Sequence, residues 1–126
     1  TAPMVTEIKS VCIYVSDVDR AIGFYTRTLG FEKLSDARQG AIRWVELRPP
    51  RGETVIALAS EGFPVWSPEK VGQFSGVTLA ADDPDETFAA LRSAGVRFQL
   101  EPEATAWGHQ AVIEDPDGNA IVVVAA

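Results

Sequence analysis

The sequence has little of what would anchor it to disulfides, metals or polyanions. One cysteine, Cys12, among 126 residues excludes an internal disulfide and any multi-cysteine zinc or iron–sulfur site. There is also only one histidine, His109, and one methionine. Basic residues are scarce: 11 Lys and Arg stand against 18 Asp and Glu, a formal charge of −7. A chain of that sign repels phosphate backbones, so nucleic-acid binding is not expected. No apolar run approaches the roughly 18–20 residues of a membrane span, so no membrane partner is expected either. The opening Thr1-Ala2-Pro3-Met4 has neither a basic nor an apolar leader segment, which gives the expectation of an unexported, cytoplasmic protein. With 46% hydrophobic residues, the chain suffices for one globular domain with its own core.

What is present is a twice-stated pattern. Ile8 to Val15 is rich in β-branched and aromatic residues and reads as a strand. Asp17 can cap a helix carrying Ile22, Tyr25 and Leu29 on one face, and Gly30 stands where such helices end. Strands are expected near Phe31 to Ser35, over Ala41 to Arg48 and over Thr54 to Ala59, the last two joined by Pro49-Pro50-Arg51-Gly52. Periodicity then lapses over about 61–74, the linker candidate. Gly76 to Ala80 reopens the pattern, and Asp83-Pro84-Asp85-Glu86 carries the cap, the first-turn proline and the glutamate of a capping box. Gly95 ends that helix, and Val96 to Leu100, Gln110 to Ile113 and Ala120 to Val124 read as strands. Asp115-Pro116-Asp117-Gly118-Asn119 reads as a structural turn. Asp17 to Gly30 and Asp82 to Gly95 each span 13 positions (30 − 17 and 95 − 82), an internal repeat at an offset of 65. Two βαβββ units too small to stand alone would cover one another, with helices outside and a concave inner face for a small ligand.

The residues that carry this pattern resemble the vicinal oxygen chelate superfamily of glyoxalase I, bleomycin-resistance proteins and extradiol dioxygenases. They are Val15-Ser16-Asp17-Val18-Asp19-Arg20-Ala21, Phe24-Tyr25, Leu29-Gly30-Phe31, Leu91, Ala94-Gly95-Val96, Trp107-Gly108 and Asp115 to Asn119. The resemblance covers almost the whole chain. It implies an α+β fold in which tandem βαβββ modules form a curved mixed-sheet cup: one domain over 1–126, module one about 7–60, module two about 75–126. It further implies a homodimer. Metal-dependent members place His, Gln or Glu on four strands of the cup. At the corresponding positions stand Ser10, Ala57, Gly76 and Val122. Three offer no donor and serine is a poor one, so no metal and no cofactor are expected.

The resemblance therefore points to the bleomycin-resistance branch: a metal-independent protein that sequesters an aromatic or cationic antibiotic or metabolite in a cup or dimer groove. The alternative is a metal-dependent glyoxalase, dioxygenase or epimerase with displaced ligands such as Glu46 and His109. A third reading is a closed fold that recruits a protein partner. Catalytic residues are unassigned. Strand alternation and composition nominate Cys12, Tyr14, Trp44, Glu46, Trp66, Thr78, Trp107 and Gln110 for ligand binding. Trp44 and Trp107 suit core packing equally well, Arg43 and Glu46 flank Trp44, and Trp66 in the linker suits a lid or a dimer contact.

Overall fold

In the computed structural model, which describes residues 2–126, the pattern resolves into eight strands and two helices. β1 (Ser10–Tyr14), α1 (Val18–Gly23), β2 (Glu32–Gln39), β3 (Ile42–Arg48) and β4 (Val55–Ala59) come first. β5 (Phe74–Ala81), α2 (Pro84–Ser93), β6 (Phe98–Thr105), β7 (Gly108–Glu114) and β8 (Ala120–Ala125) follow. They form two four-stranded mixed sheets, ordered β1-β4-β3-β2 and β5-β8-β7-β6. In each sheet the first strand pairs in parallel with the fourth and the remaining pairs are antiparallel. No helix is long and apolar enough to cross a membrane.

The helix-facing residues make one core. Ile13, Val45, Leu47 and Leu58 pack with Val18, Ala21 and Tyr25 of the first helical segment, and the same cluster takes in Ile113, Ile121 and Val123 with Phe88 and Leu91 of α2. Each such fully buried side chain contributes roughly 1.5–3 kcal/mol of transfer free energy. β2 and β6, each at a sheet edge, are longer than their hydrophobic pattern suggests, whereas β1 is shorter than expected, Ser10–Tyr14. β2 extends to Gln39 although nearly all its residues are exposed, and its hairpin to β3 turns at Gly40, φ 61°. β6 continues through Pro102 with two shifts of register. Only an edge strand tolerates these, since one side of its backbone has no partner to lose.

The two helical units differ by one residue. Asp17 accepts from the Arg20 amide at 3.1 Å, and Asp83, rather than Asp82, accepts from the Glu86 amide at 3.1 Å. Cap to glycine is thus 30 − 17 = 13 positions in the first unit and 95 − 83 = 12 in the second. The extra residue is absorbed where α1 runs on into a π-helical turn, Phe24–Thr28, in which the Leu29 amide donates to the Phe24 carbonyl. Gly30 and Gly95 end both units at φ 83° and 82°.

The turn Asp115–Asn119 joins the halves. Asp115 and Asn119 are buried, 4% and 2% exposed. Tyr25 Oη donates to Asp115 Oδ2 at 2.9 Å, and Asp115 also accepts from Asn119 Nδ2 and the amides of Asp117 and Asn119. Asn119 in turn donates to the Tyr14 carbonyl and accepts from the Gly72 amide. Asp117 receives Ser16 and Arg20. Burial and the adjacent Asp115 carboxylate push the Tyr25 phenol far above its ordinary value. The segment is the turn its composition indicates, and also the polar clasp between the halves.

Candidate functional site

Away from the helices, strand alternation aligns side chains in rows across each sheet. In the first sheet Cys12 is opposite Ala57, Ala57 opposite Glu46 and Glu46 opposite Ser35. In the second, Thr78, Val122, Val112 and Leu100 form one row, and Ala80, Val124, Gln110 and Glu103 the next. Ala57 is fully buried, whereas Thr78, Ala80 and Leu100 are exposed, so the second sheet's inner face is largely open.

The donor set at the four ligand positions of the resembled family does not fit a metal. Ser10 brings a hydroxyl, Ala57 and Val122 bring alkyl groups, and Gly76 sits at φ 76° inside a register shift between Phe74 and Thr78. Among the described residues no three His, Cys, Asp or Glu side chains cluster closely enough to hold an ion. Glu46 and His109 are also kept apart. Glu46 lies on the first sheet, where its carboxylate receives Trp44 Nε1 at 3.1 Å and Ser35 Oγ at 3.4 Å. His109 Nδ1 lies 3.4 Å from Asp85 of α2.

The segment between β4 and β5 crosses the end of the first sheet as a strap. Phe63 packs on Trp44 with ring centroids 5.5 Å apart. Trp66 Nε1 donates to the Val15 carbonyl at 3.0 Å. A 3-10 turn, Pro68–Lys70, then sets the Lys70 ammonium 5.2 Å over the Tyr14 ring. Both ends of the strap are pinned by glycines. Gly62, φ 107°, approaches the Ala41 carbonyl so closely that a Cβ there would lie 2.2 Å from its oxygen, and Gly72, φ 83°, binds Asn119 Oδ1 through its amide. The strap is a wall tied to the sheet, and Trp66 is one of its ties.

Beneath it lies a cavity of about 280 Å³ lined by Cys12, Tyr14, Glu69, Lys70, Gln73, Phe74, Ser75 and Asn119. Of the residues nominated from the sequence, Cys12 and Tyr14 line this cavity, while Trp44 and Glu46 adjoin each other on the same sheet. Thr78, Gln110 and Trp107 belong to the second sheet, where Trp107 Nε1 donates to Gln110 Oε1 at 2.9 Å and the ring is 68% exposed. Arg43 does not join Trp44 in a pocket. It bridges Asp36 and Asp19 at 2.8 and 3.0 Å, tying the β2–β3 hairpin to α1. Burial pushes the Cys12 thiol up, which leaves it protonated and a poor nucleophile at neutral pH. Lys70, Gln73 and Phe74 were not legible as site residues, because the strap has no period from which to assign a face.

The chain matches the model of the Glyoxalase/Bleomycin resistance protein/Dioxygenase superfamily over residues 7–123, and it belongs to that superfamily, the vicinal oxygen chelate group. Among solved structures it is similar to TnmS3, an antibiotic binding protein from Streptomyces sp. CB03234, with 32% identity, 98% of each chain covered and a TM-score of 0.84. A member of the superfamily from Sphaerobacter thermophilus DSM 20745 has 35% identity and a TM-score of 0.86, covering 98% of this chain and 100% of that one. YurT of Bacillus subtilis is 31% identical over 118 residues, 89% of this chain and 93% of YurT. The fold is that of these neighbours, with tandem βαβββ modules forming the curved sheet.

Proposed function

We propose that this protein binds an aromatic or cationic antibiotic or metabolite without a metal, sequestering it in the cup, and that a second copy of the chain completes the groove. The observation that carries this reading is the row Cys12–Ala57–Glu46–Ser35. Ala57, at a position the resemblance gives to a metal ligand, brings only a buried methyl group, and a carboxylate oriented by Trp44 and Ser35 stands beside it. Such a face offers hydrogen bonding and aromatic contact, and few donors for a metal. The similarity to TnmS3 supports the same reading. Incubating untagged protein with nickel, cobalt, zinc, manganese and iron(II), desalting and measuring metal content tests its first half. Below about a tenth of an equivalent of each is expected, and one tightly held equivalent per chain overturns metal independence. Thermal-shift screening with aromatic antibiotics tests the second half, stabilisation on binding being the expected result.

Pairing of two copies is supported by apolar side chains that one chain leaves exposed: Phe74 at 65%, Leu100 at 52% and Val65 at 52%. Sedimentation equilibrium at micromolar concentration is expected to give twice the chain mass. A monomer refutes this part of the proposal.

A further inference from the structure

The geometry points to Lys70 as the residue that sets the charge class of the ligand: the cavity under the strap accepts an aromatic group bearing an anionic or electron-rich oxygen, which the ammonium receives. This rests on the binding function proposed above and narrows its ligand class.

A hydrogen-bond inventory of the cavity wall carries the inference. Asn119 is saturated, with Nδ2 donating to the Tyr14 carbonyl and Asp115, and Oδ1 accepting from Gly72. Ser75 Oγ donates to the Ala120 carbonyl at 2.7 Å and accepts from the Val77 amide. Gln73 Nε2 donates to the Glu69 carbonyl at 3.2 Å, and its remaining N–H and Oε1 are neutral groups that do not discriminate between ligand charges. Cys12 brings only a protonated thiol, a weak donor.

Two charged groups remain on the wall. Glu69 is exposed, and its backbone amide and Ser67 hold its carboxyl below the usual carboxylate range, so it stays charged and its field is screened by the surrounding water. Lys70 spends one of its three N–H donors on the Val65 carbonyl, at 2.5 Å, and keeps the other two. Its position is defined by that bond, by the 3-10 turn and by the Tyr14 ring beneath it. Tyr14 and the 65% exposed Phe74 supply aromatic surface on the same wall. A cavity of about 280 Å³ admits one fused ring system with a small substituent. The net charge of −7 would draw cations to the molecule as a whole, but at contact distance the adjacent ammonium outweighs the screened sum.

The test uses a matched pair of probes, 2-naphthoate and 2-naphthylmethylammonium, titrated calorimetrically into the full-length wild type, Lys70→Met and Lys70→Arg. The wild type is expected to prefer naphthoate. Lys70→Met removes the charge while keeping the length of the stem, and is expected to weaken naphthoate about five- to tenfold, as befits loss of one charge-assisted, partly solvated contact. The same change leaves the ammonium probe unchanged or tighter, and Lys70→Arg restores naphthoate binding. Equal naphthoate affinity in wild type and Lys70→Met, or a wild-type preference for the ammonium probe, overturns the assignment of Lys70 while leaving the binding function standing. Failure of the wild type to bind either probe or any antibiotic screened removes the binding function itself, and the assignment with it.

Discussion

Tyr25 provides the most exacting test of how the two halves are held together. Its side chain is fully buried and its hydroxyl donates to Asp115 Oδ2 at 2.9 Å across the junction. Tyr25→Phe keeps the ring, and with it the edge-on packing against Phe24 at 5.2 Å, and removes only that bond. A hydrogen bond to a charged group contributes roughly 1.5–3 kcal/mol, and Asp115 keeps its donors from Asp117 and Asn119, so a loss of about 2 kcal/mol is expected. For a domain of this size that corresponds to a fall in Tm of roughly 6–10 °C.

The pH dependence makes the test sharper. The folded phenol titrates far above the unfolded one, so its contribution is fully present below about pH 10 and is lost as pH rises beyond that. Chemical denaturation of both proteins between pH 8 and 11.5 should show the wild-type advantage constant to about pH 10. Above that it should shrink by up to about 1.4 kcal/mol per pH unit, because only the wild type must keep a phenol protonated. Parallel profiles across this range, or a neutral-pH loss below about 0.5 kcal/mol, would refute the assignment of Tyr25 to the clasp.

The other expectations are more local. Gly62→Ala must place a Cβ against the Ala41 carbonyl at positive φ, and should cost at least about 2 kcal/mol in urea denaturation; a neutral outcome would mean that the strap is not pinned there. Arg43 and Lys33 hold the Asp36 carboxyl well below the usual range, so the stabilisation is present above about pH 4 and declines as pH falls further. Asp36→Asn should therefore be less stable than wild type at pH 7 and approach it toward pH 2, as followed by circular dichroism. Glu46→Ala frees the Trp44 indole N–H and should weaken binding of whichever aromatic antibiotic emerges from the screen, with little change in Tm, since the site is only half-buried. A Tm loss without a change in affinity would make Glu46 a structural residue.

The parts of the fold legible in the sequence are those where local chemistry and burial agree. Asp17 and Asp83 cap helices because a short carboxylate reaches the free amides of a first turn, and Gly30 and Gly95 stop them because they adopt positive φ without strain. β4, buried at every position, reads as an apolar run. The edge strands were harder to see. β2 and the far part of β6 bury little, so pairing extends them where hydrophobic pattern has nothing to mark. The π-helical turn of the first helix also escapes a repeat count, because a one-residue insertion within a helix leaves both of its ends intact.

The candidate site divides along the same line. The sequence by itself determined the two-module pattern and the identities Ser10, Ala57, Gly76 and Val122 at the positions the resemblance gives to metal ligands, because residue type decides whether a donor exists at all. The alternation also set Cys12 and Ala57 on one face, and the β3–β4 register brought Glu46 to join them. Only the tertiary structure decided which candidates meet. It separated Glu46 from His109, turned Arg43 toward Asp19 and Asp36, tied Trp66 to Val15, and brought Lys70 over Tyr14. Those outcomes depend on contacts between residues distant in the chain and on an aperiodic strap whose path is set by close backbone approaches. Local propensity, which acts over a few residues, has no hold on either.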